Sequence, residues 1–450
     1  MYFLKNVLIM LVLIKKILGK SLVKFIRPSF HGIKSFLSAV YFGFPSYGLI
    51  VIGITGTKGK TSTTVTTGRL LNLLNIKTGY LSTAAICLDG KNEFLNPHKN
   101  TTLDGFFLQQ FLSKIKASGC KVVVLEMSSI GLDQNRHWGI GKFDITAILN
   151  MFPEHIEYHS NWQNYMLAKA KLFKNLKKTG VFICTDEENQ KEVKEFMWQK
   201  APASSRKILL KKDLDYSILE SKNLEKKLKW QDKIYQTNFT TDFEIANLVY
   251  SLTIANQFVS DLEKKLELNE VILSLNTVPG RMETAVKEEK WGKNIQILVD
   301  YAHEPESMKQ LLETLKDRKN KGIYDLIIHI VSCDGAGRDD WKKPVMGKLS
   351  YDLADISIVT TDNYDSEDNP EEILDLLTDK FDKKRQQQKY FRFINRETAF
   401  RKSLEIAKDS RFKNILIVST GVGSEQALTQ PSGSIKWDEG EMWKKIWSEN

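Results

Sequence analysis

Leu49-Ile-Val-Ile-Gly53-Ile-Thr-Gly56-Thr-Lys-Gly59-Lys60-Thr61 is the stretch from which the rest of the chain is read. Its first six residues are a short, nearly unbroken β-branched run, the pattern of a strand buried on both faces. A glycine-rich turn follows, and Thr63–Leu74 reads as a helix. In a strand–loop–helix of this kind, glycines let backbone N–H groups approach phosphate oxygens, and the helix N-terminus adds the positive end of its dipole. Lys60 is suited to the β- and γ-phosphates and the Thr61 hydroxyl to Mg²⁺. The general G-x-x-x-x-G-K-[ST] pattern is not met, because Ile54 stands at its first glycine; Gly56-x-x-Gly59-Lys60-Thr61 is a tighter variant. Nucleotide binding is the expectation.

Outward from this corner the alternation continues. Lys121–Leu125, Ile145–Leu149 and Val181–Cys184 are strand candidates, the last following a helical stretch Trp162–Leu176. Residues 186–235 mix Lys and Glu and read as surface helices and hairpins. Pro279-Gly280 is the clearest break. Beyond it come Ile295–Val299, a helix from Pro305 to about Leu315, Leu326–Val331, Asp355–Val359, a helix near Pro370–Phe381 and Ile415–Val418. The fold class expected is α/β: a phosphate-loop central domain with a parallel sheet over residues 48–280, then a Rossmann-like α/β domain over 281–450. A hinge at Pro279-Gly280 is expected to let the two close on substrate and exclude water.

Two strand ends carry candidate chemistry. Glu126 leaves the KVVVL strand where a carboxylate can face the phosphate loop and hold magnesium; a solvated strand-end acid is the plainer alternative. His155 follows the next strand at its C-terminal end, where doubly wound sheets bind ligands.

The 450 residues hold 65 Lys+Arg and 55 Asp+Glu, and seven of the ten excess positive charges lie in residues 1–50, which contain no acid. The remainder is almost balanced, so the charge does not argue for nucleic-acid binding. Cys87, Cys120, Cys184 and Cys333 never form CxxC, which disfavours a zinc ribbon or a disulfide framework. Residues 1–47 form a basic apolar segment. Val7–Ile14 is too short for a span of ~20 residues, and Phe36–Phe44 is a second apolar-aromatic stretch ending at Pro45. Short helices packed on the body, a basic amphipathic anchor on an anionic membrane face, or a single tilted span all fit.

Ten ordered motifs resemble the Mur ligase family, most closely its tripeptide-synthetase branch, over about residues 48–450. They are GTKGKT (56–61), NTT (100–102), EMSS…LDQNR (126–136), NMFPEHIEYH (150–159), AKAKLF (168–173), PGRME (279–283), DYAHEP (300–305), GRDDWKKPVMG (337–347), TDNYDSEDNP (361–370) and TGVGSE (420–425). The resemblance implies ATP-dependent amide formation in peptidoglycan precursor synthesis. A substrate carboxylate attacks the γ-phosphate of ATP to give an acyl phosphate and ADP; an amine then attacks the acyl carbon, and phosphate leaves. It implies catalytic roles for Lys60, Glu126, His155 and Lys169. ATP contacts fall to Gly56, Thr57, Lys58, Gly59, Lys60, Thr61, Ser62, Asn150, Arg281, Asp300 and His303, with a strand-end cap as the alternative for Asp300. The cofactors implied are ATP and two Mg²⁺, with metal ligands Thr61, Glu126, His155 and Lys169 as its carbamate. Asn100, Thr101, Thr102, Ser128, Gln134 and Arg136 would hold a muramoyl-peptide acceptor. Arg338, Asp362, Asn363, Asp365, Gly421 and Glu425 would receive the amino acid. A cytoplasmic setting follows, peripheral on the inner membrane face through the N-terminal segment.

The pattern departs from the family in four places. Only about 47 residues precede the first strand, too few for the family's uridine-nucleotide domain of roughly a hundred residues, so a lipid-linked acceptor competes with a UDP-linked one. Ile130 replaces a histidine. The Asp-Asn-Pro-Arg signature for diaminopimelate reads Asp362-Asn363-Tyr364-Asp365, which favours an amine-ended side chain such as lysine. Val422 and Ser424 replace a Lys and a His. Folylpolyglutamate-, cyanophycin- and MurT-like ligases, or a non-catalytic ATP-binding envelope scaffold, are the other readings.

Overall fold

The computed structural model describes residues 20–98, 100–220, 226–259, 261–262, 267–335, 339–382 and 389–450. The chain forms two compact units, with the change between Asn276 and Thr277 and a brief excursion of Leu95–Pro97 into the second.

In the first unit, strands β1 (Ile50–Thr55), β2 (Thr78–Leu81), β3 (Ala85–Cys87), β4 (Glu93–Leu95), β5 (Val122–Glu126), β6 (Phe143–Ile148), β7 (Leu176–Thr185) and β8 (Arg206–Leu210) form one sheet. Its order is β4-β3-β2-β5-β1-β6-β7-β8. The pairings from β2 through β8 are parallel, and β2–β3 adds an antiparallel edge. β1 lies central and is buried over Val51–Thr55. Ile54 pairs opposite Glu126 and Thr55 opposite Ile148. That register brings the C-terminal ends of β1, β5 and β6 level, as the crevice rule for open α/β sheets requires. The polar 186–235 region is less peripheral than its composition implies. Its Arg206–Leu210 segment extends the main sheet as β8, while Tyr216–Glu220, Lys226–Trp230 and Lys233–Gln236 form a separate antiparallel sheet.

The helix after the loop, Lys60–Leu73, starts at the lysine itself. It contains five threonines, poor helix formers, all of them buried. Tertiary packing outweighs propensity. Thr67 Oγ1 donates to Ser251 Oγ (3.0 Å) of the neighbouring helix Asp242–Ala255, which Thr241 and Glu244 start with a reciprocal capping box.

The second unit has a six-stranded sheet of Glu283–Lys290, Lys293–Asp300, Leu326–Cys333, Ile356–Thr361, Tyr390–Arg392 and Asn414–Thr420. The first two form an antiparallel hairpin at one edge, and the remaining pairings are parallel. Helix Lys343–Leu353 crosses Pro370–Thr378 at Gly347, where a Cβ would lie inside the contact distance of the Leu377 carbonyl oxygen. Because backbone would have to move, Gly347→Ala is expected to cost about 3 kcal/mol. Calorimetry should show a lower Tm for this variant, and an unchanged Tm would refute the close crossing.

Each unit buries a histidine. His137 accepts from Asn175 Nδ2 (2.9 Å), and burial, aided by the positive Lys171, lowers its pKa from 6.5 to about 3. His329 sits between Ser350 Oγ (2.8 Å) and Thr420 Oγ1 (3.0 Å), and burial, with Arg396 adding to it, takes it likewise to about 3. Both folded pKa values are depressed, so the unfolded chain binds more protons on the acid side of 6.5. The associated stability is full above 6.5 and is lost as pH falls toward 3. Urea midpoints should therefore drop between pH 7 and pH 5, with a shallower drop in His137→Asn.

Candidate functional site

The turn after β1 is held open by its neighbours. Gly59 caps the helix with φ +79°, and a Cβ there would run into the Asn247 side chain, so a left-handed residue without a side chain is needed twice over. Asn150, just beyond β6, clamps the loop. Its Oδ1 accepts from the Lys58 N–H (2.9 Å), its Nδ2 donates to the Lys58 carbonyl (3.2 Å), and its own carbonyl accepts from the Thr57 N–H (3.0 Å). Thr57 Oγ1 lies 2.9 Å from the Tyr165 hydroxyl. Ser62 lies in the first turn of the helix.

Glu126 faces the loop. Thr61 Oγ1 lies within donating distance of both of its carboxylate oxygens (2.9 and 3.0 Å), and the Thr83 N–H (2.7 Å) and hydroxyl (3.0 Å) donate to Oε2. The carboxylate is buried. Thr83 escapes sequence reading, although its place just after a parallel strand is the available signal. Lys60 Nζ donates to the Thr57 carbonyl (2.7 Å), and Lys169 Nζ to the Gly56 carbonyl (2.7 Å). Lys169 comes from the buried face of helix Trp162–Lys174 and lies over the Tyr165 ring. Its burial, reinforced by the positive Lys60, drives its pKa well below the ordinary lysine value. His155 has φ +55° and sits at 3.9 Å from Glu154 and 3.8 Å from Glu157, on the loop after β6.

Four of the six expected acceptor residues meet in one cluster. Thr102 Oγ1 accepts from the Ser128 N–H (2.8 Å), its carbonyl accepts from Arg136 Nη1 (2.6 Å), and Gln134 Oε1 accepts from Arg136 Nε (2.9 Å). Ser128 caps the short helix Ser129–Asp133. Thr101 is half-buried beside this cluster, and Asn100 is exposed. Burial disfavours the charged form of Arg136, which suits it to an anionic partner.

In the second unit, the Asp300 carboxylate accepts from the Met282 N–H (2.8 Å) and the Ala302 N–H (2.9 Å), the geometry of a strand-end cap. Arg281 stacks on the Tyr301 ring at 4.2 Å, and His303 Nδ1 lies 2.8 Å from the Tyr301 carbonyl. Asn363 Nδ2 lies 3.2 Å from both Asp334 Oδ1 and Glu425 Oε2, and the Tyr301 hydroxyl is 3.3 Å from Glu425 Oε1. Buried Asp362 is pushed up to about 7 by desolvation, which Arg396 (3.2 Å) partly counters. Gly421 packs against Asp362 and Ser332. Asp365 lies exposed on the loop before helix Pro370–Thr378, its Oδ1 accepting from the Glu367 N–H (2.8 Å). Arg338 lies outside the described residues. Arg396, which also bonds Ser332, the Thr420 carbonyl and Glu439, organises this region, and no sequence pattern announces it.

A strand–turn–helix anion cradle with a carboxylate and two lysines against it defines a phosphate-loop nucleotide-binding protein of the α/β class. Residues 54–255 match the Mur ligase middle domain, and residues 280–421 match the Mur ligase, glutamate ligase domain. The chain is 29% identical over 411 residues to the UDP-N-acetylmuramoyl-L-alanyl-D-glutamate--2,6-diaminopimelate ligase of Clostridium botulinum, covering 91% of this chain and 80% of that one. It is 28% identical over 429 residues to the UDP-N-acetylmuramyl-tripeptide synthetase of Treponema denticola, covering 90% and 77%. The folylpolyglutamate synthase of Mycobacterium tuberculosis complexed with ADP and AMPPCP has the same fold, with a TM-score of 0.68 at 17% identity over 87% of this chain and 94% of that one. The chain belongs to the Mur ligase family and is an ATP-dependent acid–amino-acid ligase.

Proposed function

We propose that the chain joins an amine-ended diamino acid, of which lysine is the type, to a muramoyl-peptide acceptor. The observation that carries this reading is the acidic surround of the second unit's candidate site. Asp334 and Glu425 meet on Asn363, and Asp365 stands where the diaminopimelate signature has arginine. Carboxylates there suit ammonium groups and repel a distal carboxylate.

The chemistry asked of the first unit is charge neutralisation and positioning, since phosphoryl transfer needs little covalent help from protein. Backbone N–H groups of residues 56–61 and the Lys60 ammonium would hold the ATP phosphates, with Asn150 keeping the loop in shape. Thr61 and Glu126, already converging, fit Mg²⁺, which takes one or two protein oxygens together with phosphates. When bound, the ion would withdraw charge from the transferring group. His155 is placed at the same end of the sheet. Lys169 is buried beside the loop in a setting that favours its neutral amine, the form that adds CO₂ to give a carbamate and a proton; the resulting anion would serve as a further ligand. Thr102, Ser128, Gln134 and Arg136 would grip the acceptor, with Arg136 on a carboxylate.

An amino-acid panel read by ADP release, with UDP-linked and lipid-linked muramoyl peptides as acceptors, tests the proposal. Release should require both acceptor and amino acid and be fastest with lysine-like diamines. A higher kcat/KM for diaminopimelate would overturn the specificity.

A further inference from the structure

The helix Lys20–Tyr41 is packed inside out. It lies on helix Gly105–Ala117 and on the 135–139 segment with its small and polar residues inward. Ser35 Oγ sits within bonding distance of the Arg136 (2.7 Å) and Trp138 (2.6 Å) carbonyls, and Lys34 pairs with Asp104 at 2.8 Å. Gly32 meets the Trp138 ring, Gly105 meets Ser35, and Ala39 meets Gly139. The large apolar side chains point the other way: Ile33 is 54%, Phe36 47% and Val40 51% exposed, with Leu37 and Tyr41 beside them. Positions 33, 36, 37, 40 and 41 are one helical stripe, normally the buried one.

Aromatic rings continue the stripe. Phe36 meets Phe44, Phe44 meets Tyr47, and Tyr41 and Phe42 meet Phe106. Tyr47 and Phe107 are also exposed. A contiguous exposed apolar patch needs a partner, and aromatic residues that rim it suit a membrane interface.

We infer that this face docks on an anionic lipid bilayer. Charge selects that occupant, because residues 1–50 hold seven Lys and Arg and no acid. Anionic headgroups attract such a segment, whereas a second copy presenting the same charges would repel it. Among the described residues no helix is long and apolar enough to cross a membrane, and a helix apolar along one face only is the kind that lies on the surface. The inference rests on this surface alone and stands or falls separately from the ligase reading.

Flotation of the full chain with phosphatidylcholine vesicles, with and without phosphatidylglycerol, tests it. The chain should float with phosphatidylglycerol present, less so at high salt. The triple variant Ile33→Ser, Phe36→Ser, Val40→Ser should bind at least about tenfold more weakly while keeping its Tm and its ADP release on a soluble acceptor. Lys20→Glu with Lys24→Glu leaves the apolar face intact and should lose the phosphatidylglycerol dependence. Four results would overturn the inference. They are no flotation of the parent, equal binding by either variant, a parent dimer that the triple variant dissolves, or binding that vanishes on deletion of residues 1–19 yet survives the triple substitution.

Discussion

Replacing Lys60 with methionine is expected to lower kcat about a thousandfold with little change in Tm. The asymmetry follows from its surroundings. Among the described residues, the Lys60 ammonium bonds only the carbonyl of Thr57, in its own loop, so its removal breaks one hydrogen bond at a half-buried position. In the proposed reaction the same charge lies against the β- and γ-phosphates, where negative charge is redistributed as the acyl phosphate forms. Methionine keeps the length and apolar stem and deletes that charge alone. ADP release at saturating ATP, acceptor and amino acid is the measurement. Retention of more than about a tenth of parent turnover would show that the loop is not where phosphoryl transfer occurs.

Asp365→Arg is expected to move the ratio of kcat/KM for diaminopimelate over lysine upward by about a hundredfold. Asp365 is exposed and, among the described residues, its carboxylate holds only a local turn through the Glu367 N–H, so the backbone should tolerate the change. An arginine there restores the charge of the signature that Asp362-Asn363-Tyr364-Asp365 otherwise resembles. It would offer a bidentate partner to the distal carboxylate and repel a distal ammonium. Asn363, Asp334 and Glu425 stay in place, so recognition of the reacting amino acid end should be less affected. Competition between the two amino acids under limiting enzyme reads the ratio directly, and an unchanged ratio would remove Asp365 from the specificity determinants.

Much of the first unit's site was legible because its parts are consecutive. Gly56, Gly59, Lys60 and Thr61 lie within six residues, and the strand before them is a nearly unbroken apolar run. Glu126 was legible for a related reason: a carboxylate ending a buried strand has few places to go, and parallel register beside β1 puts it at the loop. The N-terminal segment was legible only as a set of alternatives. Composition shows an amphipathic basic helix, but not which face the body takes, and the body takes the polar one. Val7–Ile14 lies outside the described residues. Asp300 illustrates the opposite limit. Its strand-end position fits nucleotide contact and capping alike, and its carboxylate accepts two N–H bonds as a cap does.

By itself the sequence determined the α/β alternation, the phosphate loop and the family, because these depend on local periodicity and on ordered short motifs. Tertiary structure decided the rest. It set Thr83 beside Glu126, put Lys169 under the Gly56 carbonyl, made Arg396 the anchor of Asp362, and turned the apolar stripe of the first helix outward. The physical reason is the same throughout. Burial, hydrogen-bond closure and desolvation arise between residues far apart in the chain, and no window of sequence contains both partners.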